Sequence, residues 1–342
     1  MTKTKTKTKT IIDIIAEIAQ GYEGNIEQAI LLLKAAKSAA ADAAKYQVIY
    51  ADELCTPNYK HYALFRSLEM PDESWMRLVE TARKLEIRVI LDIFGDRSLA
   101  LAEKLGVSEI MVHATDLTNM PLIEKIAASP ANKVFLGAGG ALMSELSCTL
   151  KILSSKNVVV MVGYQGYPTP DDESQIARIA YVADWLSDLH HNVTIGYADH
   201  SLPASPWVLP FSTMALGLGA RVFEKHITLG EIMKLEDHEA AINPDKFTFY
   251  TQGLRASAAA LGNVVARDDF GMSPAEQRYR SMVRRSVVAI KPLLKGATIQ
   301  AEDVTLKRSA IIGDFASIDS VVGRVLVSGL EANLPVRSQD VQ

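Results

Sequence analysis

Two histidines stand at the ends of two late apolar runs. His200 closes IGYADHS beside Asp199, and His226 sits in VFEKHIT two residues after Glu224. Two imidazoles with carboxylates nearby can hold a divalent metal, and such a metal polarises a substrate carbonyl as a Lewis acid. With no cysteine near, an open, oxygen-rich site of the manganese or magnesium type is expected rather than a closed zinc site. Other polar residues fall at comparable positions: Glu17 and Gln20, Lys45 and Gln47, Asp92, His113 and Asp116, Gln165 and Tyr167, and then Asp237 and His238. Lys45 and Gln47 are two apart and share one face of a strand, as do Glu224 and His226. Lys45 leaves three roles open: a structural partner of Glu17, an anion site, or a Schiff-base nucleophile if its pKa is lowered. Glu17 is a candidate acid or base if its surroundings raise its pKa.

These residues need a scaffold that gathers strand ends. Eight short β-rich runs alternate with amphipathic stretches between Ile11 and about residue 266: IIDIIAEIA, AAKYQVI, RVILDIF, EIMVHA, KVFLGAG, VVVMVGY, NVTIGYADH and ARVFEKHIT. Such runs fit parallel strands covered on both faces. The stretches EQAILLLKAAKSAAA, ESWMRLVETARKL, MSELSCTLKILSS and ESQIARIAYVADWLSDL read as helices between them. Eight βα units in about 250 residues match a (β/α)8 TIM barrel, whose catalytic mouth lies at the C-terminal strand ends. A doubly wound sheet would need a glycine-rich first turn, which GYEGN does not supply. Domain bounds are expected as a disordered tail over 1–10, the barrel over 11–268, a linker over 269–283 and a small β-rich module over 284–342.

The 342 residues are 48% hydrophobic, with a net charge of -4. That composition suits one large and one small domain and argues against nucleic acid as a partner. No segment has the length and apolarity of a membrane span. The opening MTKTKTKTKT lacks the apolar core of a secretory signal, and two cysteines imply no disulfide framework, so a cytoplasmic setting is expected.

The stretches AEIAQGYEGNIEQAILLLKAAKSAAADAAKYQ, GYPTPDDE, IGYADHS, GARVFEKHITL and AAINPDKF, in this order, resemble the sialic acid synthase family. SVVAIKPLLKGATIQAEDVTLKR and GRVLVSGLEANLPVRSQDV resemble the antifreeze-protein-like (SAF) module that those enzymes carry. The resemblance implies condensation of phosphoenolpyruvate with an open-chain N-acyl sugar aldehyde, giving a 3-deoxy-2-keto sugar acid and phosphate. It implies a manganese or magnesium ion on His200 and His226, with Glu17 and Asp237 holding the acceptor sugar and Gln47 and Tyr167 lining its side. It also implies a domain-swapped homodimer in which Arg308 of one copy binds sugar in the other.

The chain departs from the family pattern in one cluster. Gly21 and Tyr22 stand where asparagine and histidine are usual, and Leu91, Asp92, Ile93 and Phe94 replace a serine-threonine-proline-phenylalanine run. A lysine has become Met111, followed by His113, Ala114 and Asp116 in place of a glycine-serine-glycine-glutamate turn. Gly137, Gln165 and Ala198 replace further polar residues. Most of these positions grip phosphate in the family, and phosphate binding relies on charge-assisted donors. Two donors are therefore open: phosphoenolpyruvate in a rebuilt pocket, with His113 and backbone N–H groups as donors, or a pyruvate-type donor without phosphate in a metal-dependent aldolase or lyase. A non-catalytic sugar-acid binder is the remaining class, disfavoured by the survival of both histidines with Glu17 and Asp237. Asp92, His113, Asp116, Gln165, Asp199 and Glu224 are carried as substrate-side candidates.

Overall fold

The computed structural model describes residues 11–163, 166–187, 192–262, 268–269 and 271–342. The expected tail over 1–10 and Gln165 lie outside the described residues. The chain divides into two compact units, 1–263 and 264–342.

In the first unit eight parallel strands close into a barrel in sequence order. They are β1 (Asp13–Ala19), β2 (Ala43–Gln47), β3 (Arg88–Asp92), β4 (Glu109–Val112), β5 (Lys133–Gly137), β6 (Asn157–Gly163), β7 (Val193–Asp199) and β8 (Val222–His226). Each expected run overlaps one of them. Strand alternation sorts the side chains into two cores. Ile15, Ala43, Ile90, Phe135, Val159 and Val222 fill the barrel interior. The alternate residues, such as Ile14, Ala44, Leu91, Val112, Val160 and Phe223, pack outward against the helices. At the N-terminal end Asp13, Arg88, Glu109 and Lys133 close the barrel with a ring of ion pairs. The C-terminal end is thereby left as the open one.

Helix signals act locally. Asn25 caps the helix Ile26–Ser38 by accepting the Glu27 and Gln28 N–H groups, satisfying donors that the first turn leaves unpaired. The helix expected from Glu173 begins instead at Arg178: Asp171–Glu173 forms a 3-10 turn, and Gln175 takes the left-handed conformation that breaks the run. The stretch expected as linker contains a helix, Pro274–Val283, started by a reciprocal Ser273–Glu276 cap.

In the second unit β9 (Ser286–Ala289) pairs antiparallel with β10 (Val304–Lys307). Isolated bridges such as Val288 to Pro335 and Leu326 to Val341 extend the pairing. Val287, Ile299, Val321, Leu326 and Val336 form its core. No helix among the described residues is long and apolar enough to cross a membrane.

Gly163 ends β6 at φ 150°, and a Cβ there would lie 2.1 Å from the Ala198 carbonyl oxygen on β7. The backbone atom cannot swing away as a side chain could. Gly163→Ala should therefore destabilise the barrel by roughly 2–4 kcal/mol, read as a lowered urea midpoint with an unchanged m-value.

Candidate functional site

The inward residues at the C-terminal strand ends surround a cavity of about 400 Å³. Its wall includes Glu17, Lys45, Gln47, Glu224 and Asp237, together with His113, Tyr167, His200 and His226. Four strands supply the charged floor. Lys45 Nζ lies 2.5 Å from Glu17 Oε2, 2.8 Å from Glu224 Oε2 and 3.8 Å from Asp92 Oδ2. Burial works against the ammonium, but the Asp92 and Glu224 carboxylates outweigh it and raise its pKa. A lysine held charged is no nucleophile, so the Schiff-base alternative for Lys45 does not suit this environment. Glu17 is committed as well, since its other oxygen accepts the Ala19 N–H at 2.6 Å.

The two imidazoles lie together, with ring centroids 5.3 Å apart, and the Tyr167 ring stands within 5.8 Å of both. Burial pushes the His200 pKa down to about 4, and the Lys225 charge adds to this. Burial, then His200, pushes His226 well below its ordinary value. Both rings are therefore neutral at pH 7, the state that ligates metals. His200 Nδ1 lies 3.2 Å from the Ala198 carbonyl, which places its proton there and leaves Nε2 as the basic nitrogen.

Two imidazoles are what the protein offers an ion. Among the described residues no group of three or more His, Cys, Asp or Glu is close enough to enclose one. A metal would fit here only as an open centre held by the two imidazoles.

Asp237 belongs to the same mouth. Its Oδ2 accepts the Gln20 N–H at 3.1 Å, the Gln20 side chain donates to Gln47 Oε1 at 2.8 Å, and the Tyr167 hydroxyl donates to the Asp237 carbonyl. Tyr22, at a departure from the family pattern, is core: it is fully buried, packs on Tyr46 and Trp75 and donates to the Gln47 carbonyl.

Three sequence expectations need correction. Asp199 does not face the cavity. Neighbouring strand residues point to opposite faces, so with His200 inward Asp199 turns outward. There it meets Lys225 at 2.5 Å and also accepts the Ser201 hydroxyl at 2.6 Å, fully buried. Lys225 and Ser201 were missed, although the parity of VFEKH signals an outward lysine. Asp116 lies in a 3-10 turn, Ala114–Asp116, and is not among the residues lining the cavity. Asp92 does not line it either: it is 0% exposed and stands behind His113, whose Nε2 lies 2.8 Å from Asp92 Oδ2. Arg308 is exposed in the second unit, directly after β10.

Burial pushes the half-buried Asp237 carboxyl up to about 6, from an ordinary 3.8. The folded state therefore holds this proton more tightly than the unfolded chain. The stabilising contribution is complete below about pH 4 and is lost as pH rises through 6. Asp237 takes φ 62°, which asparagine also tolerates. Asp237→Asn should raise unfolding stability at pH 8 by about 1–2 kcal/mol, after allowing for screening at the mouth. At pH 4 the two proteins should unfold alike in urea.

Comparison with known proteins gives the chain's family. The profile of the NeuB family matches residues 32–266, and that of the SAF domain matches residues 284–342. An uncharacterized protein from Methanocaldococcus jannaschii is 28% identical over 298 residues, 86% of this chain and 84% of that one. An N,N'-diacetyllegionaminic acid synthase from Legionella pneumophila is 27% identical over 340 residues, 93% of this chain and 91% of that one. A solved structure from Chromobacterium violaceum superposes with a TM-score of 0.81 at 24% identity, covering 97% of this chain and 99% of that one. The chain belongs to the NeuB family, with a C-terminal SAF domain.

Proposed function

We propose that this chain joins a three-carbon donor at the oxidation level of pyruvate to the aldehyde of an open-chain N-acyl sugar, giving a 3-deoxy-2-keto sugar acid. C–C bond-forming chemistry on sugars is the family's. The observation that carries the reading to these residues is the pair of neutral imidazoles beside Tyr167 and Asp237 in one cavity. A divalent metal, manganese or magnesium, would be held by His200 and His226 and would supply Lewis-acid polarisation of a carbonyl oxygen. Glu17, Gln47, Asp237 and Tyr167 hold and orient the acceptor. The Asp237 carboxyl, with its raised pKa, is suited to pass a proton near neutral pH.

With phosphoenolpyruvate, the donor that the family resemblance implies, water adds and phosphate leaves. A pyruvate-type donor without phosphate is a second reading, favoured by one observation. Lys45 is the only Lys or Arg among the described residues lining the cavity, and three carboxylates surround it. The protein works as a domain-swapped homodimer in the same proposal, with Arg308 of one copy binding the sugar of the other, and in a reducing cytoplasm, which suits the unpaired Cys55 and Cys148.

Incubation with Mn2+, N-acetylmannosamine or 2,4-diacetamido sugars, and either donor should yield a product heavier than the acceptor by the donor's three carbons, seen by mass spectrometry. Absence of any such product with every pairing rejects the proposal. His200→Ala and His226→Ala should each lower Mn2+ affinity at least tenfold by calorimetry; unchanged affinity in the double variant rejects the metal site. Arg308→Ala should raise the acceptor KM about tenfold, equivalent to ~1.4 kcal/mol, with the barrel's thermal unfolding unchanged.

A further inference from the structure

His113, directly after β4, faces the cavity, and it is built as half of a pair. Asp92, fully buried at the end of β3, fixes its ring at 2.8 Å. Phe94 stacks on the ring with centroids 5.2 Å apart, so the ring has one favoured plane. With Nε2 donating to the carboxylate, the lone pair sits on Nδ1. The imidazole keeps 35% of its side chain exposed while Asp92 has none. That is the architecture of a general base oriented by a buried anion.

The surroundings complete the pair. A Cβ on Gly137 would lie 3.0 Å from the Ala114 backbone nitrogen and 3.6 Å from the His113 carbonyl carbon. The absent side chain on β5 is what admits the turn that carries the histidine. Beside it, among the described residues, the wall is mainly Met111, Met161, Gly163 and Ala198, with Thr115 as a hydroxyl-bearing member. It offers no charged side chain to a phosphate dianion, and Lys45 is already matched by Glu17, Glu224 and Asp92. Phosphate binding draws on charge-assisted donors; among the described residues this half of the cavity has a largely apolar wall and an oriented base instead.

We propose that Asp92 and His113 form an enolising dyad, and that the donor is a 2-oxo acid of the pyruvate class rather than a phosphorylated enol. This rests on the condensation reading above, in its second form. His113 Nδ1 removes a proton from C3 of the 2-oxo acid, and the C–H electron pair forms the enolate. The C3 of that enolate attacks the aldehyde carbon, the C–C bond forms, and the carbonyl π pair becomes an alkoxide. The proton on His113 returns to the alkoxide oxygen, giving a 4-hydroxy-2-oxo acid with no water consumed and no leaving group. His113 is the catalytic residue and Asp92 positions it.

The test is exchange of the pyruvate methyl protons in D2O, followed by NMR on the full-length protein with Mn2+. The expected result is enzyme-dependent loss of the methyl signal, slowed at least 100-fold in His113→Ala. Added imidazole should partly restore it, and Mn2+ affinity should stay unchanged. Asp92→Asn should lower the exchange kcat about tenfold or more with the pyruvate KM unaltered, a split that a merely structural role would not produce. Undiminished exchange in His113→Ala overturns the dyad. Phosphate release from phosphoenolpyruvate with N-acetylmannosamine or a 2,4-diacetamido sugar, without pyruvate exchange, overturns it too but leaves the condensation reading standing. No product and no exchange with either donor overturns both.

Discussion

The ammonium of Lys45 organises the interior of this barrel. It stands between carboxylates from β1, β8 and β3, and through Asp92 it reaches the histidine that follows β4. Five of the eight strands are therefore tied to one buried charge. Such a cluster is weak evidence for stability, because desolvating the ions offsets most of their attraction. Its consequence is specificity: removing the cation would leave three carboxylates facing one another in a poorly solvated space, so the register of these strands and the rotamers at the cavity floor are set together. An apolar substitute could fill the volume of Lys45, but it could not hold Glu17, Glu224 and Asp92 in one place.

A second buried pair does related work on the opposite face of the sheet. Lys225 and Asp199 are register neighbours on β8 and β7, and they meet outside the barrel wall with Ser201. Each sits next in sequence to one of the two inward imidazoles. The pair thus pins the strand ends that carry His200 and His226 without touching the cavity. The positive charge of Lys225 also adds to burial in keeping His200 neutral. One strand end thereby serves two purposes: the outward residue fixes the backbone, and the inward residue lines the cavity.

Much of this was legible in the sequence, for identifiable reasons. Eight β-rich runs separated by amphipathic helices leave few alternatives to a closed parallel barrel, and the parity of Glu224 and His226 correctly put both on the inner face. The errors have a common physical source. Asp199 was grouped with His200 because they are adjacent, although adjacency in a strand means opposite faces. Asp92 was grouped with the substrate contacts because strand-end carboxylates usually face the mouth. Its burial depends on the turn after β4, and that turn depends on Gly137, a tertiary contact with no local signature. The late start of the helix at Arg178 likewise reflects the left-handed Gln175, which pattern alone does not reveal. Tyr22 looked like a changed site residue and is a core aromatic, because its partner Trp75 comes from a distant helix.

The charge balance of the cavity links these points to chemistry. Lys45 contributes one positive charge against the carboxylates of Glu17, Glu224 and Asp92, while His200 and His226 are kept neutral by burial. The floor is thus short of positive charge before any ligand arrives. In a site partly shielded from water such a deficit is felt more strongly than at the surface. It favours a divalent cation, and the charge left after such an ion binds sets how much anionic charge a donor can bring. A phosphorylated donor brings both phosphate and carboxylate charge, whereas a simple 2-oxo acid brings a single carboxylate. The replacements that remove hydroxyls and a cation from the β4–β7 wall and the appearance of Asp92 push this balance in the same direction. The oriented imidazole of His113 fits the proposed unphosphorylated donor: a phosphorylated enol is already activated at C3, whereas a 2-oxo acid needs a base.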